Sequence, residues 1–252
     1  MDHLRVIVDG PRTGAVNMQR DAALLAAWRP GDAPVLRLYR WQPYAVSYGF
    51  HQKPEDFDQA AIARLGYDLV RRPTGGRAIL HAEELTYSVV GPSPSPLFGD
   101  TLHTCYMKIN EALVAFLKDL GLDVEISGGE DRSEMRQAVC FKSAGQHEIR
   151  VQGRKIVGSA QRRTEGAFLQ HGSLLVGPHH VNLLDCLDAR RRAVLGRDQL
   201  LAATTDLGRL RGAPYRPAEL DELEEHLAAA FCRTLGLEQE RLSWADLELD
   251  EG

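Results

Sequence analysis

Apolar and polar residues follow one another along the chain with two periods, one typical of helices and one typical of strands. Apolar spacings of three and four residues, with bounding prolines and glycines, predict helices over residues 15–28, 54–65, 101–120 and 217–235. A weaker pattern predicts helical structure within residues 179–210. Short apolar or alternating stretches predict strands over residues 35–39, 45–50, 67–71, 85–90, 147–151, 155–160 and 167–176.

The order of these elements predicts the fold class. The predicted strands are mostly neighbours along the chain, with helices inserted between groups of them. We therefore expect an α+β fold with mixed, largely antiparallel sheets flanked by helices. No linker divides the sequence, so residues 1–252 are expected to form a single domain in which about 178–252 make a small helical C-terminal cap.

Proline and glycine predict where these elements are connected. Residues 92–96 contain three prolines and are expected to form a surface loop, because proline has no amide proton to give to a sheet. Residues 127–137 are polar and charged and contain two glycines, which predicts a mobile loop. Residues 152–154 are predicted to form the turn of a hairpin.

Composition excludes several classes of protein. The chain has 252 residues, of which 44% are hydrophobic and 26% charged, as in an ordinary globular protein. A net charge of −5 gives no general attraction to nucleic acid or membrane, so any basic surface must be local. No run of about 18 apolar residues is present, so no membrane span is expected.

The cysteines lie at positions 105, 140, 186 and 232, without the spacing of a metal site. We therefore expect no bound metal. Scattered cysteines and an N-terminus without an apolar segment predict reduced thiols in the cytoplasm.

The first candidate site lies in residues 71–81, where a predicted strand runs into a glycine pair between arginines and then into another strand. Gly75 and Gly76 would allow the backbone to approach a ligand closely, and the guanidinium groups suit a phosphate or carboxylate. A tight turn with solvated arginines would have the same pattern. Neither the phosphate-binding nor the dinucleotide-binding glycine motif is present.

A second candidate is the predicted strand that begins near Lys155. If Ile156 faces the core, Lys155 must face the opposite side, because side chains alternate along a strand. Gly158, Ser159 and Ala160 are small, so another group can pack close to them. A lysine on a strand is also commonly just solvated.

Cys140 is the third candidate, at the junction of a polar loop and a strand. Lys142 and Lys155 are nearby in sequence, and a neighbouring cation lowers a thiol pKa. The alternative is an inert buried cysteine, which is the interpretation for Cys105 and Cys232, while Cys186 is left open.

The fourth candidate is His171, which precedes Gly172 in a predicted strand. It could be a base or a hydrogen-bonded structural residue.

Taken in order, several stretches resemble the superfamily of lipoate ligases, biotin ligases and octanoyltransferases. They are residues 71–81, 84–88, 153–161 and 169–173, with 17–21 and 38–41 nearer the N-terminus. The resemblance covers about residues 16–176 and implies a biotin/lipoate ligase-like catalytic domain. Val139-Cys140-Phe141 lies where the cysteine-dependent octanoyltransferases of Gram-positive type have Ala-Cys-Phe, and Gly75-Gly76-Arg77 also resembles that branch.

The resemblance implies a reaction and a set of site residues. Cys140 would take an octanoyl or lipoyl group from acyl carrier protein as a thioester and pass it to a lysine of a lipoyl domain. The acceptor would be glycine cleavage H protein or a dehydrogenase acyltransferase subunit, and Lys155 would be the second catalytic residue. The substrate-binding residues would be Arg71, Arg72, Gly75, Gly76, Arg77, His81, Gly158, Ser159, Ala160, His171 and Gly172. No cofactor is expected.

Three alternatives accompany this hypothesis. One is a lipoate ligase that uses ATP with Mg²⁺, and another is an amidotransferase that moves the chain between lipoyl domains. The third is a non-enzymatic binding module, against which Cys140 and Lys155 argue. Two positions depart from the family pattern, because Ala82 stands where an aspartate is usual and Lys142 where an acidic residue is common.

Overall fold

Two sheets organise the molecule in the computed structural model, which describes residues 2–127, 148–192 and 196–249, without the side chains of 189 and 190. The strands in chain order are β1 (His3–Arg12), β2 (Val35–Trp41), β3 (Ala45–Tyr48), β4 (Asp68–Arg71), β5 (Ile79–His81), β6 (Glu84–Ser93), β7 (Val124–Ile126), β8 (Ile149–Val151), β9 (Arg154–Arg163), β10 (Gly166–Leu175) and β11 (Glu238–Leu242). Within the described residues, eight of them form a large sheet in the order β11-β1-β2-β6-β10-β9-β8-β7. The other three form a small sheet in the order β4-β3-β5.

Helices surround the large sheet. They are α1 (Gly14–Ala27), α2 (Gln59–Leu65), α3 (Leu102–Asp119), α4 (Ala189–Arg192), α5 (Arg197–Ala203), α6 (Leu207–Arg211) and α7 (Pro217–Leu235). Short 3₁₀ helices cover Pro54–Asp56, Pro178–Cys186 and Trp244–Leu247. None of the helices in the described ranges combines the length and apolar character that crossing a bilayer requires.

The strand pairing confirms the predicted fold class. Only the β11–β1, β1–β2 and β3–β4 pairs are parallel, and the other described pairs are antiparallel. The result is a mixed, largely antiparallel α+β architecture. The strands β1, β7 and β11 were not predicted, and β11 shows that the C-terminal part adds a strand to the large sheet as well as helices.

Two predicted boundaries were wrong. The helix expected over residues 54–65 is split, because Phe57 is buried and Asp58 caps the new helix α2 by accepting a hydrogen bond from the amide of Ala61. The expected loop at 92–96 is also partly strand, since Pro92 lies in β6. Its missing amide proton is tolerated because pairing between β2 and β6 stops at Val90, so Pro92 is paired only with β10.

The central strands have two different buried faces. On β6, Leu85, Tyr87 and Val89 point into the main apolar core, which α3 and α7 complete. The alternate residues Glu84 and Ser88 point to the other face, where they are buried with polar partners. This polar face carries the candidate site.

Arg37 of β2 anchors the polar face through buried ion pairs. Its guanidinium lies 2.7 Å from Asp9 Oδ2 and 2.9 Å from Asp21 Oδ1, and its side chain has no exposed surface. Burial raises the pKa of Asp9, but the charge of Arg37 and the hydrogen bond from Arg20 outweigh it, so the net pKa is lowered. The Asp9 carboxylate therefore stays ionised, and Arg37 compensates its buried negative charge.

We predict that Arg37→Ala destabilises the protein strongly, because it leaves buried carboxylates without their cation. The expected loss is about 3–5 kcal/mol in the free energy of unfolding, measured by urea denaturation. Arg241→Ala is the control, since it removes a surface ion pair with Glu225 and should cost about 0–1 kcal/mol. Equal losses in the two variants would contradict this prediction.

Candidate active site

A cavity of about 290 Å³ lies where the small sheet faces the polar side of the large sheet. Its volume is at the lower end of the range of small-molecule sites. Met18 of α1, Tyr39 of β2, Leu80 of β5 and Leu175 of β10 supply apolar wall. Predominantly apolar walls with a few polar groups suit a ligand with an apolar chain and one polar end.

Most of the residues predicted to form a site lie around this one cavity. Its lining includes Arg72, Gly76, Arg77, His81, Lys155, Gly158, Ser159, Ala160, His171 and Gly172. Arg71 and Gly75 are not part of the lining, and the exposed Arg71 guanidinium instead lies 4.3 Å from the ring centre of Phe50. Cys140 lies outside the described residues, as do Lys142 and most of the polar segment predicted to be mobile.

Lys155 enters the cavity from β9. Ile156 is fully buried in the main core, so the alternation predicted for this strand is confirmed. Lys155 Nζ donates a hydrogen bond of 2.6 Å to Glu148 Oε1, and both side chains are largely buried. The ammonium is therefore held at a fixed place by a carboxylate that no motif pointed out.

Small residues make room for the Lys155 side chain. A Cβ added at Gly158 would lie 2.8 Å from Lys155 Cε and 2.9 Å from Nζ, closer than van der Waals contact allows. At Gly172 a Cβ would overlap Ser159 and the Tyr87 ring. The small residues predicted to allow close packing therefore do so.

The side chain of Arg72 stabilises the glycine loop, residues 72–77, by donating hydrogen bonds to its backbone carbonyls. The guanidinium donates to the carbonyl of Gly75 at 2.9 and 3.1 Å, to that of Arg77 at 2.6 Å and to that of Ser47 at 3.0 Å. Gly76 has φ of +87°, as expected of a glycine needed for its backbone conformation. Arg72 is 5% exposed, so its donors chiefly fix the loop.

His171 is held between a carboxylate and a hydroxyl. Its Nδ1 lies 2.9 Å from Asp21 Oδ2, and its Nε2 lies 2.6 Å from Thr74 Oγ1 in the glycine loop. Burial lowers the pKa of His171 more than the hydrogen bond and charge of Asp21 raise it. The ring is therefore neutral near pH 7, and this geometry favours the structural alternative over a free base.

His81 has a similar arrangement. Its Nδ1 lies 2.7 Å from Glu84 Oε1, its Nε2 lies 2.8 Å from Ser47 Oγ, and its ring stacks on Trp41 with centroids 3.9 Å apart. Glu84 Oε2 also accepts a hydrogen bond from Ser173. His81 is therefore fixed on both ring nitrogens and on one ring face.

A third histidine, His180, lines the cavity near Lys155. Its Nε2 lies 2.8 Å from Thr204 Oγ1. Burial lowers the pKa of His180 to about 4, so it too is neutral near pH 7. The positive charges beside Glu148 therefore belong to Lys155 at 2.6 Å and Arg150 at 3.9 Å, and not to this ring.

The cysteines within the described ranges are poor nucleophiles. Burial raises the pKa of Cys105 and of Cys186 to about 12 and also raises that of Cys232. A thiol with so high a pKa is almost wholly protonated at neutral pH. The interpretation of Cys105 and Cys232 as inert fillers agrees with the burial of Cys105 and the half-burial of Cys232. Cys186, which was left open, is buried as well.

Together these groups favour chemistry at a carbonyl. A fixed ammonium beside apolar walls can stabilise negative charge that develops on a carbonyl oxygen. Since His171 and His180 are neutral and Arg72 is bonded to loop carbonyls, the cations that can face such an oxygen are Lys155 and, on the loop side, Arg77.

Comparison with known proteins identifies the family. The model of the lipoyl protein ligase A/B catalytic domain matches residues 13–232, and the chain belongs to this family. The resemblance drawn from the sequence is thereby confirmed.

Similar proteins with an assigned activity are octanoyltransferases. Octanoyltransferase LipM of Kyrpidia tusciae is 36% identical over 259 residues, which cover 100% of this chain and 93% of the relative. Octanoyltransferase LipM of Moorella thermoacetica is 38% identical over 242 residues, which cover 93% of this chain and 87% of the relative.

Two similar solved structures are a lipoate-protein ligase and a protein with bound lipoic acid. Lipoate-protein ligase A bound with ATP is 25% identical with a TM-score of 0.75, and the match covers 96% of this chain and 89% of that one. A protein from T. acidophilum with bound lipoic acid is 26% identical with a TM-score of 0.74, covering 96% and 90%. The predicted ligase-like fold is therefore confirmed.

Several residues at the cavity had not been predicted. In the lining they are Met18, Tyr39, Ile79, Leu80, Thr86, Glu148, Ser173, Leu175 and His180, and behind the lining Asp21 and Glu84. Asp21 and Glu84 lie in stretches that carried the resemblance, which was the available signal. Their contacts could not be predicted from local spacing, because Asp21 and its partner His171 are 150 positions apart.

Proposed function

We propose that this chain is an octanoyltransferase of lipoate biosynthesis, which moves an octanoyl group from acyl carrier protein to a lysine of a lipoyl domain through a thioester on Cys140. Transfer of octanoyl is the activity of its relatives across nearly the whole chain. The observation that carries the proposal is the Lys155 ammonium, held by Glu148 in a largely apolar cavity with small residues around it.

The first half-reaction transfers the chain to the enzyme. The Cys140 thiolate attacks the thioester carbonyl, a new carbon–sulfur bond forms, and the Lys155 ammonium stabilises the oxyanion. The bond to the carrier sulfur then breaks, and the leaving thiolate takes a proton from Lys155. The products are octanoyl-Cys140, free carrier thiol and neutral Lys155.

The second half-reaction restores the starting state. The neutral amine of the acceptor lysine attacks the carbonyl of octanoyl-Cys140, and its surplus proton passes to Lys155. The carbon–sulfur bond breaks, leaving an amide on the acceptor, a Cys140 thiolate and a Lys155 ammonium. Proton transfer of this kind contributes about 10²–10⁴-fold in rate.

Chain connectivity supports the assignment of Cys140. It precedes Glu148 by eight positions (148 minus 140), a span of at most roughly 28 Å. The residues that border the undescribed segment meet at the cavity, since the amide of Ser127 donates to the carbonyl of Glu148 at 2.9 Å and the amide of Glu148 donates to Ser127 Oγ at 3.0 Å. The high pKa values of Cys105 and Cys186 remove competing nucleophiles.

The walls of the cavity support an acyl chain of limited length. Burying seven methylene groups contributes on the order of 5 kcal/mol, at about 0.8 kcal/mol each. Met18 and Leu80 would contact the chain, while Gly158 and Ala160 lie nearer to Lys155 along β9. A lipoyl group, which has the same eight-carbon backbone, would be the alternative cargo.

The family points to an acyl donor and a lipoyl-domain acceptor in general. Within the proposal, the donor is acyl carrier protein and the acceptor is glycine cleavage H protein or a dehydrogenase acyltransferase subunit. Arg71 and Arg162 flank the exposed ring of Phe50 beside the glycine loop, and neither pairs with a carboxylate among the described residues. Uncompensated charges there would attract acidic partners. The buried Arg72 does not contribute to that surface.

The proposal includes a cytoplasmic location and no cofactor. Free cysteines at 105, 186 and 232 fit a reducing compartment. The main rival is a lipoate ligase that uses ATP with Mg²⁺, which the similarity to lipoate-protein ligase A bound with ATP keeps in view. An amidotransferase acting between lipoyl domains would share the thioester and differ only in its donor.

Prediction for Cys140: incubation with octanoyl carrier protein should add one octanoyl group to the protein, because the thiolate displaces the carrier thiol. Intact mass spectrometry measures the addition. It should vanish in Cys140→Ala and persist in the matched controls Cys105→Ala and Cys186→Ala. An octanoyl adduct on the Cys140→Ala protein would rule out the thioester proposed here.

Prediction for Lys155: Lys155→Ala should slow both half-reactions by about 10²–10⁴-fold, because both need its charge and its proton. Lys155→Arg should not restore the rate, since guanidinium cannot give up its proton. Stopped-flow kinetics measures the rate of acyl transfer, and thermal denaturation measures the stability of each variant. The thermal midpoint of Lys155→Ala should fall only modestly, because Glu148 loses its nearest cation but keeps Arg150 at 3.9 Å.

Two results would contradict that account of Lys155. Near-normal turnover of Lys155→Arg would reduce the residue to an electrostatic anchor. A large fall in the melting temperature of Lys155→Ala would show that the residue acts mainly on stability.

A further inference from the structure

Two buried chains of hydrogen bonds lead from carboxylates to the glycine loop. In the first, Asp21 bonds His171, and His171 bonds Thr74. In the second, Glu84 bonds His81, and His81 bonds Ser47. Thr74 belongs to the loop, and Ser47 touches Arg72, whose guanidinium holds the loop carbonyls.

We infer that Asp21 and Glu84 are positioning residues, which act through His171 and His81 to hold the glycine loop in place over the cavity. The inference rests on the proposed function, in which this cavity binds the acyl substrate. It assigns both histidines to positioning and gives neither a role as acid or base.

The direction of the first chain follows from its partners. Burial raises the pKa of Asp21, but the hydrogen bond from His171 and the charge of Arg37 outweigh it and leave the net pKa lowered. The Asp21 carboxylate can therefore only accept, so His171 Nδ1 carries the proton. A neutral ring then has an unprotonated Nε2, which must accept the proton of the Thr74 hydroxyl.

The second chain is fixed at both of its ends. Ser47 Oγ accepts a hydrogen bond from Arg72 Nη1 at 3.2 Å and lies 2.8 Å from His81 Nε2. His81 Nδ1 lies 2.7 Å from Glu84 Oε1. Thr86 and Ser173 also donate to Glu84, so its two oxygens are fixed.

Burial excludes a simpler explanation of the first chain. Aspartate, histidine and a hydroxyl in sequence resemble a nucleophile with its base. Thr74 and Ser47 have no exposed surface, however, and neither is part of the cavity lining. A hydroxyl that no substrate can reach serves the position of the backbone that carries it.

The loop is sensitive to such positioning because residues 49 and 50 pack closely against its backbone. A side chain at Gly49 would overlap the carbonyl of Gly76, and the amide of Phe50 donates to the carbonyl of Thr74 at 2.9 Å. Gly76 and Arg77 line the cavity directly. A small shift at Thr74 therefore moves atoms that would contact the substrate.

The test compares Thr74→Val, which keeps the shape and removes the hydroxyl, with Thr74→Ser, which keeps the hydroxyl. Transfer by Thr74→Val should fall on the order of 10²-fold, as expected for misplaced contacts. Hydrogen exchange of the peptide covering residues 72–77 should accelerate in Thr74→Val alone. Thr74→Ser should retain most of the rate and the slow exchange, and both variants should keep a thermal midpoint near that of the wild type.

The second readout is ¹⁵N NMR of the histidine rings in the wild-type protein at pH 7. Both rings should carry a proton on Nδ1, and His171 should have an unprotonated Nε2. An unprotonated Nδ1 in either ring, or a protonated Nε2 in His171, overturns the chain that contains that ring. Unchanged exchange in Thr74→Val, or equal damage in Thr74→Val and Thr74→Ser, overturns the role of the hydroxyl.

The two proposals can fail separately. If the wild-type protein transfers no octanoyl group, the proposed function fails, while the exchange and NMR results still decide whether the two chains position the loop.

Discussion

The Asp21 carboxylate is the group on which the polar half of this molecule depends. It is completely buried and accepts hydrogen bonds from Arg37 and Tyr39 of β2, Ser88 of β6 and His171 of β10. A buried carboxylate without such donors would be costly, so the helix that carries it and these three strands must be placed together. The Asp21 carboxylate thus fixes Tyr39 and His171, which form part of the cavity wall.

The side chains at the cavity fall into two groups, the histidines, which have structural partners, and Lys155, which is proposed to take part in the chemistry. His171, His81 and His180 are held by buried partners, and His171 and His180 are neutral near pH 7. Lys155 is different, because its long side chain reaches into the cavity and its ammonium is bonded to the carboxylate of Glu148. A group that must gain and lose a proton during transfer is well placed on such a side chain.

The sequence predicted the elements that depend on local pattern. Helix α7 lies where apolar spacing placed it, and the alternation around Ile156 correctly turned Lys155 away from the core. Both successes share a cause, since spacing along one strand or helix determines which face a residue occupies. Lys155, Gly158 and His171 also line one cavity, and their role at a substrate remains a prediction from the family resemblance.

Features that depend on distant partners could not be predicted in this way. Asp21 sits on a helix with no local sign that its partner is His171, and Glu148 follows a polar stretch that gave no reason to single it out. Arg72 was expected to bind an anion, yet burial directs its donors to loop carbonyls. Strand β11 was missed because its Glu- and Arg-rich sequence has little apolar alternation, and it pairs with β1 across the length of the chain.

The central claim is that the acyl group arrives as a thioester and needs no ATP. The most direct measurement compares octanoylation of a lipoyl domain from octanoyl carrier protein without ATP with octanoylation from free octanoate with ATP and Mg²⁺. We expect transfer from the carrier alone, and its loss in Cys140→Ala. Modification from free octanoate with ATP, at a rate that Cys140→Ala leaves intact, would contradict this account and identify a ligase.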